Sequence, residues 1–468
     1  MPLLSRLVAT ELPTWSVRAA YDLCPAAVQT AALNAYGLQN RLRRARASTR
    51  LGFLAASETW PLEVQIRYTA ERLRRILDVA FRSVPFYTAY RDMQGELAGP
   101  DEHVLGLLDA LPVVSRDMLM AEPDAFMSHP RRRRAVAAHT SGTTGSPLTV
   151  YVDQDVECWN DALVLRRDLW AGYRPGDWIA RLVGDPVVPL RQASPLYPWR
   201  ASWTDRRLYL SSYHLSTDTA GRMAQELAKR RPAFLMGYPS TLTSLVRLAD
   251  EAFGDWTPKA ILYSSEPLHA HQRALLEQAF PVPIRGFYGC AERAVSATEC
   301  EAGRYHLNVV DGCVQGQYGQ APYDACTYVT SLLNETMPLV RYAIGDTLRV
   351  DRQARCPCGR SLPVIADVVT KEEDVLVTES GRRISPSVLT WAFKDLAGLE
   401  SSQIVQTSQR DIVVRVVVSP KRFAVVRDEL SERLRQLTFD EFSIRVVRCD
   451  ELQITAMGKS RFVVGLHD

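Results

Sequence analysis

The sequence predicts an α/β protein, with a large N-terminal domain of layered β-sheets and helices followed by a small α+β C-terminal domain. Three observations carry this. Short apolar runs at Ile179–Val183, Ala233–Gly237 and Ala260–Tyr263 alternate with helical periodicity at Ser216–Lys229 and Ser240–Ala252. Such alternation implies a largely parallel sheet with both faces covered. After Lys371 the pattern becomes a turn at Ser380-Gly381-Arg382, a helix over Pro386–Leu396, a valine-rich strand over Asp411–Val418, a helix over Ala424–Leu437 and a strand over Phe442–Val447. A chain of 468 residues also exceeds one ordinary core.

Composition narrows the class further. The chain is 46% hydrophobic and 23% charged, which is globular material, and its net charge of +3 gives no argument for nucleic acid. No apolar stretch approaches the ~18 residues of a membrane span, and the N-terminus lacks the charged-then-apolar pattern of a leader. The nine cysteines, an odd number scattered along the chain, read as thiols of a reducing compartment rather than a disulfide framework. The expectation is a cytoplasmic protein with no membrane span and no nucleic-acid partner.

Taken in order, residues 1–55 are helical in tendency, carry a basic run from Arg41 to Arg50, and read as an N-terminal extension. Apolar residues recur at helical spacing over Val64–Val84, and Pro85 ends that helix. The run Arg131–Arg134 is either a solvated face or a patch that steers an anionic nucleotide. It precedes the stretch that organises the chain, Thr140-Ser141-Gly142-Thr143-Thr144-Gly145. There Gly142 and Gly145 free backbone N–H groups to turn toward an anion, while the hydroxyls add donors. Apolar flanks at Ala135–Ala138 and Leu148–Val152 predict a loop between two strands; the alternative is an ordinary Ser/Thr/Gly turn. Asp155–Trp170 reads as a helix, and the Pro- and Trp-rich segment from Pro186 to Arg207 as a long ordered loop.

The cysteines support an independent reading. Cys300 and His306 are separated by five residues, and Cys356-Pro357-Cys358 follows. Three thiolates and one imidazole compose a closed tetrahedral zinc site of the structural type; the alternative is buried free thiols and a core histidine.

Several stretches together resemble the adenylate-forming superfamily of acyl-CoA synthetases, luciferases and peptide-synthetase adenylation domains. They are His139–Pro147, Phe287-Tyr288-Gly289-Cys290-Ala291-Glu292-Arg293 with Glu299-Cys300, Met337–Asp346, and Cys356-Pro357-Cys358-Gly359-Arg360. The last three are similar to the phenylacetate-CoA ligase branch. Within that branch the Glu292-Arg293 pair and the cysteine run look most like CapK-type proteins associated with capsule biosynthesis. The likeness covers roughly residues 60–465.

The resemblance implies an ATP- and Mg²⁺-dependent ligase that forms an acyl-adenylate and pyrophosphate between residues 56–367 and a mobile lid of residues 368–468. Residues 140–145 would hold the β- and γ-phosphates, with Ser146 standing where many relatives carry lysine. Glu292 would bind magnesium, as a hard cation prefers a carboxylate oxygen. Ser265, Glu266, Pro267, Phe287, Tyr288 and Gly289 would hold adenine, and Asp346 the ribose hydroxyls. At the hinge, Lys371 replaces the arginine that would contact ribose and Glu373 the pivot aspartate; lysine lacks arginine's planar fork. Lys459 matches the C-terminal catalytic lysine. Tyr238, Ser240, Ser264, Phe287 and Tyr288 would line the acyl pocket, whose aromatic content points to an aryl acid. Relatives sharing the cysteines favour Zn²⁺ on Cys300, His306, Cys356 and Cys358, stapling the Glu299 loop to the end of the large domain. The acceptor is coenzyme A by default, with three alternatives: an amine or hydroxyl acceptor, adenylyl transfer to a hydroxyl, and a non-catalytic nucleotide-binding homologue. A homodimer is also compatible.

Overall fold

The computed structural model describes residues 21–139, 148–185, 187–190, 194–315, 317, 327–351, 354–369, 375–384, 386–393, 396–450, 452 and 462–466. The phosphate-loop candidates Thr140–Gly145, the hinge residues Lys371 and Glu373, and Lys459 lie outside these residues. No helix among the described residues is long and apolar enough to cross a membrane.

Three helices come first: α1 (Ala26–Ser48), α2 (Leu51–Ser57) and α3 (Leu62–Ser83). In α3, Leu73, Ile76, Leu77 and Ala80 point into the main core, as their spacing predicts, and Pro85 stops the helix. Strands β1 (Val136–His139) and β2 (Thr149–Val152) then pair antiparallel on either side of the Ser/Thr/Gly stretch. Helix α4 (Gln154–Trp170) is capped by Asp153, whose Oδ1 accepts from Asp155 N at 2.9 Å and Val156 N at 3.0 Å.

The centre of the molecule is a ten-stranded sheet. Its strands are β3 (Ile179–Leu182), β4 (Trp199–Ser202), β5 (Arg207–Leu210), β6 (Phe234–Gly237), β7 (Ala260–Ser264), β8 (Ile284–Gly289), β9 (Ser296–Glu299), β10 (Tyr305–Leu307), β14 (Thr347–Asp351) and β15 (Val364–Val369). Their order is β14-β15-β10-β9-β8-β7-β6-β3-β5-β4. A separate three-stranded sheet joins β11 (Gly312–Val314), β12 (Tyr328–Ser331) and β13 (Tyr342–Ala343). The helices α5 (Thr217–Arg230), α6 (Pro239–Ala249) and α7 (Ala270–Ala279) connect β5 to β6, β6 to β7 and β7 to β8. Ser216 opens α5, its backbone N donating to Thr219 Oγ1 at 3.0 Å.

The α/β class is borne out, with two corrections. The sheet is parallel only from β5 to β8; from β8 onward every pairing is antiparallel. The β8–β9 and β9–β10 links are too short for crossover helices, so these strands fold back as hairpins. Within the expected long loop over 186–207, Trp199–Ser202 is the edge strand β4, paired antiparallel with β5.

The last unit holds a four-stranded sheet, β20-β19-β18-β21, made of β18 (Leu399–Gln406), β19 (Asp411–Val418), β20 (Ser443–Cys449) and β21 (Val463–Val464). Helix α8 (Pro420–Thr438) covers it, with Pro420 in its first turn. Strand β19 falls on the predicted residues, whereas the helix expected over 386–396 is one α-turn, Pro386–Leu389, continued as a 3₁₀ turn to Phe393. A two-stranded ribbon, β16 (Leu376–Val377) with β17 (Arg383–Ile384), precedes it. This unit's core includes Leu190 and Tyr213 from the preceding body, and buried Arg382 donates from Nη1 to Tyr213 O at 2.7 Å.

Candidate active site and metal centre

A cavity of about 1330 Å³ opens where the C-terminal ends of β7 and β8 meet the last unit. In an α/β sheet, a ligand crevice belongs at these strand ends. From the sheet come Ser264, Ser265, Glu266 and Pro267 after β7, and Phe287, Tyr288, Gly289 and Glu292 on and after β8. Ile344 and Asp346 line another wall, and Val375, Pro386, Thr390 and Phe462 contribute from the C-terminal residues. Ser240 lines the cavity. Tyr238 is not among its lining residues and carries a hydrogen bond to the Gly184 backbone, and burial pushes its phenol up to about 12. The chain turns into α6 between Tyr238 and Ser240, so these near neighbours in sequence face different surroundings.

Two tyrosine–carboxylate pairs shape the polar side. Tyr288 Oη donates to Asp346 Oδ2 at 2.9 Å, and buried Tyr342 Oη donates to Glu292 Oε1 at 2.9 Å. Both phenols are held well above their usual range, by burial first and by the facing carboxylate second. They therefore stay neutral donors that fix the two carboxylates without adding charge. Sequence reading named both acids but missed Tyr342 as the residue that orients Glu292. Burial also pushes the Cys290 thiol up to about 12, so it is an inert neighbour of Glu292 rather than a nucleophile.

The backbone is strained at this site. Ser265 has φ 70° and Arg293 φ 54°, both in the left-handed region that favours glycine. Both line the cavity. Arg293 is held there by an ion pair to buried Glu157 of α4 at 3.2 Å. Strain of this kind persists only where surrounding contacts over-determine it.

A second group of polar residues braces the wall. Buried Glu299 accepts from Tyr263 Oη at 2.9 Å, Gly286 N at 2.7 Å and Arg273 Nη2 at 2.8 Å, and Tyr305 Oη donates to Tyr263 Oη at 3.0 Å. Gly286 is required here, because a Cβ would sit 2.0 Å from the Tyr305 hydroxyl. No spacing in the sequence announces this relay, since its members come from β7, β8, β9, β10 and α7.

The residue after Glu299 begins a cluster that could ligate a metal. The ligand atoms of Cys300, His306, Cys356 and Cys358 all lie within 4.8 Å of one another. Cys300 Sγ is 3.6 Å from Cys356 Sγ, and Cys358 Sγ is 3.3 Å from His306 Nε2. A tetrahedron with Zn–S bonds of ~2.3 Å has S–S edges of ~3.8 Å, so this spacing suits that metal. His306 Nδ1 is 3.0 Å from Leu362 O, which places the ring proton there and leaves Nε2 as a ligand. Around the cluster, Arg360 stacks over Trp170 at 3.8 Å and is 3.0 Å from Glu58 Oε2, while Glu58 Oε1 accepts from the Trp170 indole at 3.0 Å. The donor set therefore fits zinc.

The basic run is partly accounted for by structure. Arg131 pairs with Glu335 and Arg132 with Asp124 at 2.6 Å, so these two guanidinium groups brace the body.

Residues 376–465 match the profile of the CapK C-terminal domain. Protein CapK of Staphylococcus aureus is 23% identical over 368 residues, covering 76% of this chain and 80% of that protein. The phenylacetate-coenzyme A ligase of Thermus thermophilus is 24% identical over 355 residues, covering 68% and 73%. Among solved structures, 2-hydroxyisobutyryl-CoA ligase bound to 2-HIB-AMP and CoA superposes with a TM-score of 0.49 at 20% identity, over 87% of this chain and 91% of that one.

Proposed function

We propose that this chain, whose relatives are CapK and phenylacetate-coenzyme A ligases, is an AMP-forming acid ligase that activates a carboxylic acid with ATP. The observation that carries the reading is the meeting of Asp346, Glu292 and the 264–267 turn in one cavity, walled by both the sheet and the C-terminal residues. Asp346, oriented by Tyr288, would accept the two ribose hydroxyls. Glu292, oriented by Tyr342, would offer oxygen to the magnesium that neutralises charge on the phosphates. Residues 140–145 would hold the β- and γ-phosphates, and Lys459 would neutralise the charge that grows on the α-phosphate as the carboxylate attacks and pyrophosphate leaves. In this reading residues 56–367 carry the nucleotide, and residues 368–468 close over it with Lys371 and Glu373 at the hinge. The aromatic wall around Phe287 favours an aryl acid, and coenzyme A is the acceptor.

We also assign structural zinc to Cys300, His306, Cys356 and Cys358. A bound ion would tie the β9–β10 turn to the segment before β15 and so fix Glu299, one residue before Cys300, against the cavity wall.

Trapping with hydroxylamine tests the activation step. An acid-dependent hydroxamate, formed with ATP and Mg²⁺ but without coenzyme A, is expected; its absence across aryl and short acyl acids would contradict the reading.

A further inference from the structure

Helix α1 carries a row of exposed apolar side chains. Its polar side chains attach it to the body: Arg43 is bidentate on Asp161 at 2.9 and 3.0 Å, Arg44 reaches buried Asp168 at 2.6 Å, and Asn34 Oδ1 accepts from Trp203 N at 2.9 Å. Gly37 lies so close to the β4–β5 hairpin that a Cβ would meet Ser202 Oγ at 2.2 Å. Leu33 and Ala47 are buried against the body, but a further row of apolar side chains faces outward. Val28, Leu38 and Leu42 are 49, 51 and 65% exposed, and Ala31, Ala35 and Ala45 are exposed between them.

These six residues follow a strict alternation of three and four positions, the seam of a two-helix coiled coil rather than the broader stripe of a helix facing a core. We propose that this seam packs against the same seam of a second copy of this chain, antiparallel about a twofold axis. In that register Val28 meets Ala45 of the second copy, Ala31 meets Leu42, and Ala35 meets Leu38. Each layer then joins a larger side chain to a smaller one, so the helices approach evenly along their length. A twofold contact requires such self-complementarity.

Charge selects the orientation. Residues 26–40 carry no charge, whereas exposed Arg41 and Arg46 flank the seam near its C-terminal end. Antiparallel pairing sets these cations beside Ala32 and Ala27 of the second copy, while parallel pairing would stack them on their counterparts. A lipid surface fits less well, because half of the seam is alanine and contributes little apolar area for insertion.

Sedimentation of the full chain tests this, with a species of twice the chain mass expected at tens of micromolar. Leu38→Glu with Leu42→Glu should give a monomer whose melting temperature is unchanged, since both side chains are exposed. In a Cys24→Ser background, Ala31→Cys chains mixed with Leu42→Cys chains should cross-link on oxidation, and Ala31→Cys chains alone should not. A monomeric wild type, or a dimer indifferent to the two glutamates, would overturn the proposal. So would dimers that form only after removal of residues 1–20, which would assign the face to that segment, or a monomer that sediments with anionic vesicles.

Discussion

The cavity and the cysteine–histidine cluster are neighbours, yet they are built on opposite principles. The cavity is open, its carboxylates Asp346 and Glu292 each hold a tyrosine hydroxyl, and its backbone is strained at Ser265 and Arg293. The cluster is closed: Cys300 and His306 are fully buried, all four donors converge, and an aromatic and ionic bracket of Trp170, Arg360 and Glu58 seals it. Carboxylates near a wide cavity can exchange ligands, whereas converging thiol and imidazole donors would hold a metal in one place. The first arrangement suits turnover and the second suits placement, with Glu299 standing between them.

The contrast can be broken from either side. The largest effect is expected at Lys459→Ala, where acyl-adenylate formation should fall ~10²–10³-fold while ATP affinity by calorimetry changes little. Unchanged turnover would remove that lysine from the chemistry. Glu292→Gln comes next. An amide still accepts from Tyr342 but binds magnesium poorly, so the rate should fall ~10²-fold at fixed Mg²⁺, recover in part at high Mg²⁺, and leave the melting temperature in place.

Cys356→Ser should behave oppositely. Zinc, expected near one equivalent in wild type by elemental analysis, should be lost, and the melting temperature should drop by roughly 5–10 °C. Less than about half an equivalent in carefully purified wild type would count against the four-ligand site.

The smallest effect sharpens the comparison through Asp311, a buried residue that lines the cavity and accepts from Ser296 Oγ at 2.5 Å. Burial raises its carboxyl to about 7, above an unfolded value of ~3.9. The folded state then binds more protons than the unfolded one across that interval. Its contribution to stability therefore falls as pH rises from about 4 to about 7 and levels off above. Asp311→Asn should flatten that slope in denaturant titrations and leave zinc content unchanged.

How much of this was legible differs between the two regions. Strand β19 and helix α3 were readable because burial on one side imposes a period on the sequence, and the Cys–His set because ligand spacing is itself a signal. Strand β18, with Glu400, Ser401, Ser402 and Gln403 in sequence, shows no such period and was missed. The antiparallel half of the sheet was also hidden, since β9 and β10 are only four and three residues long. In the cavity, Glu292 and Asp346 were named because they sit in stretches that resemble the adenylate-forming superfamily. Tyr342, Tyr305 and Gly286 were not, because their roles arise from distant strands meeting.

The measurement that reaches the central claim most directly is carboxylate-dependent exchange of pyrophosphate into ATP, run across aryl and short acyl acids without coenzyme A. The account predicts exchange with at least one acid, loss of that exchange in Lys459→Ala, and its persistence, though slower, in Glu292→Gln. Wild-type protein with full zinc and measurable ATP binding that exchanges with none of the acids would contradict it.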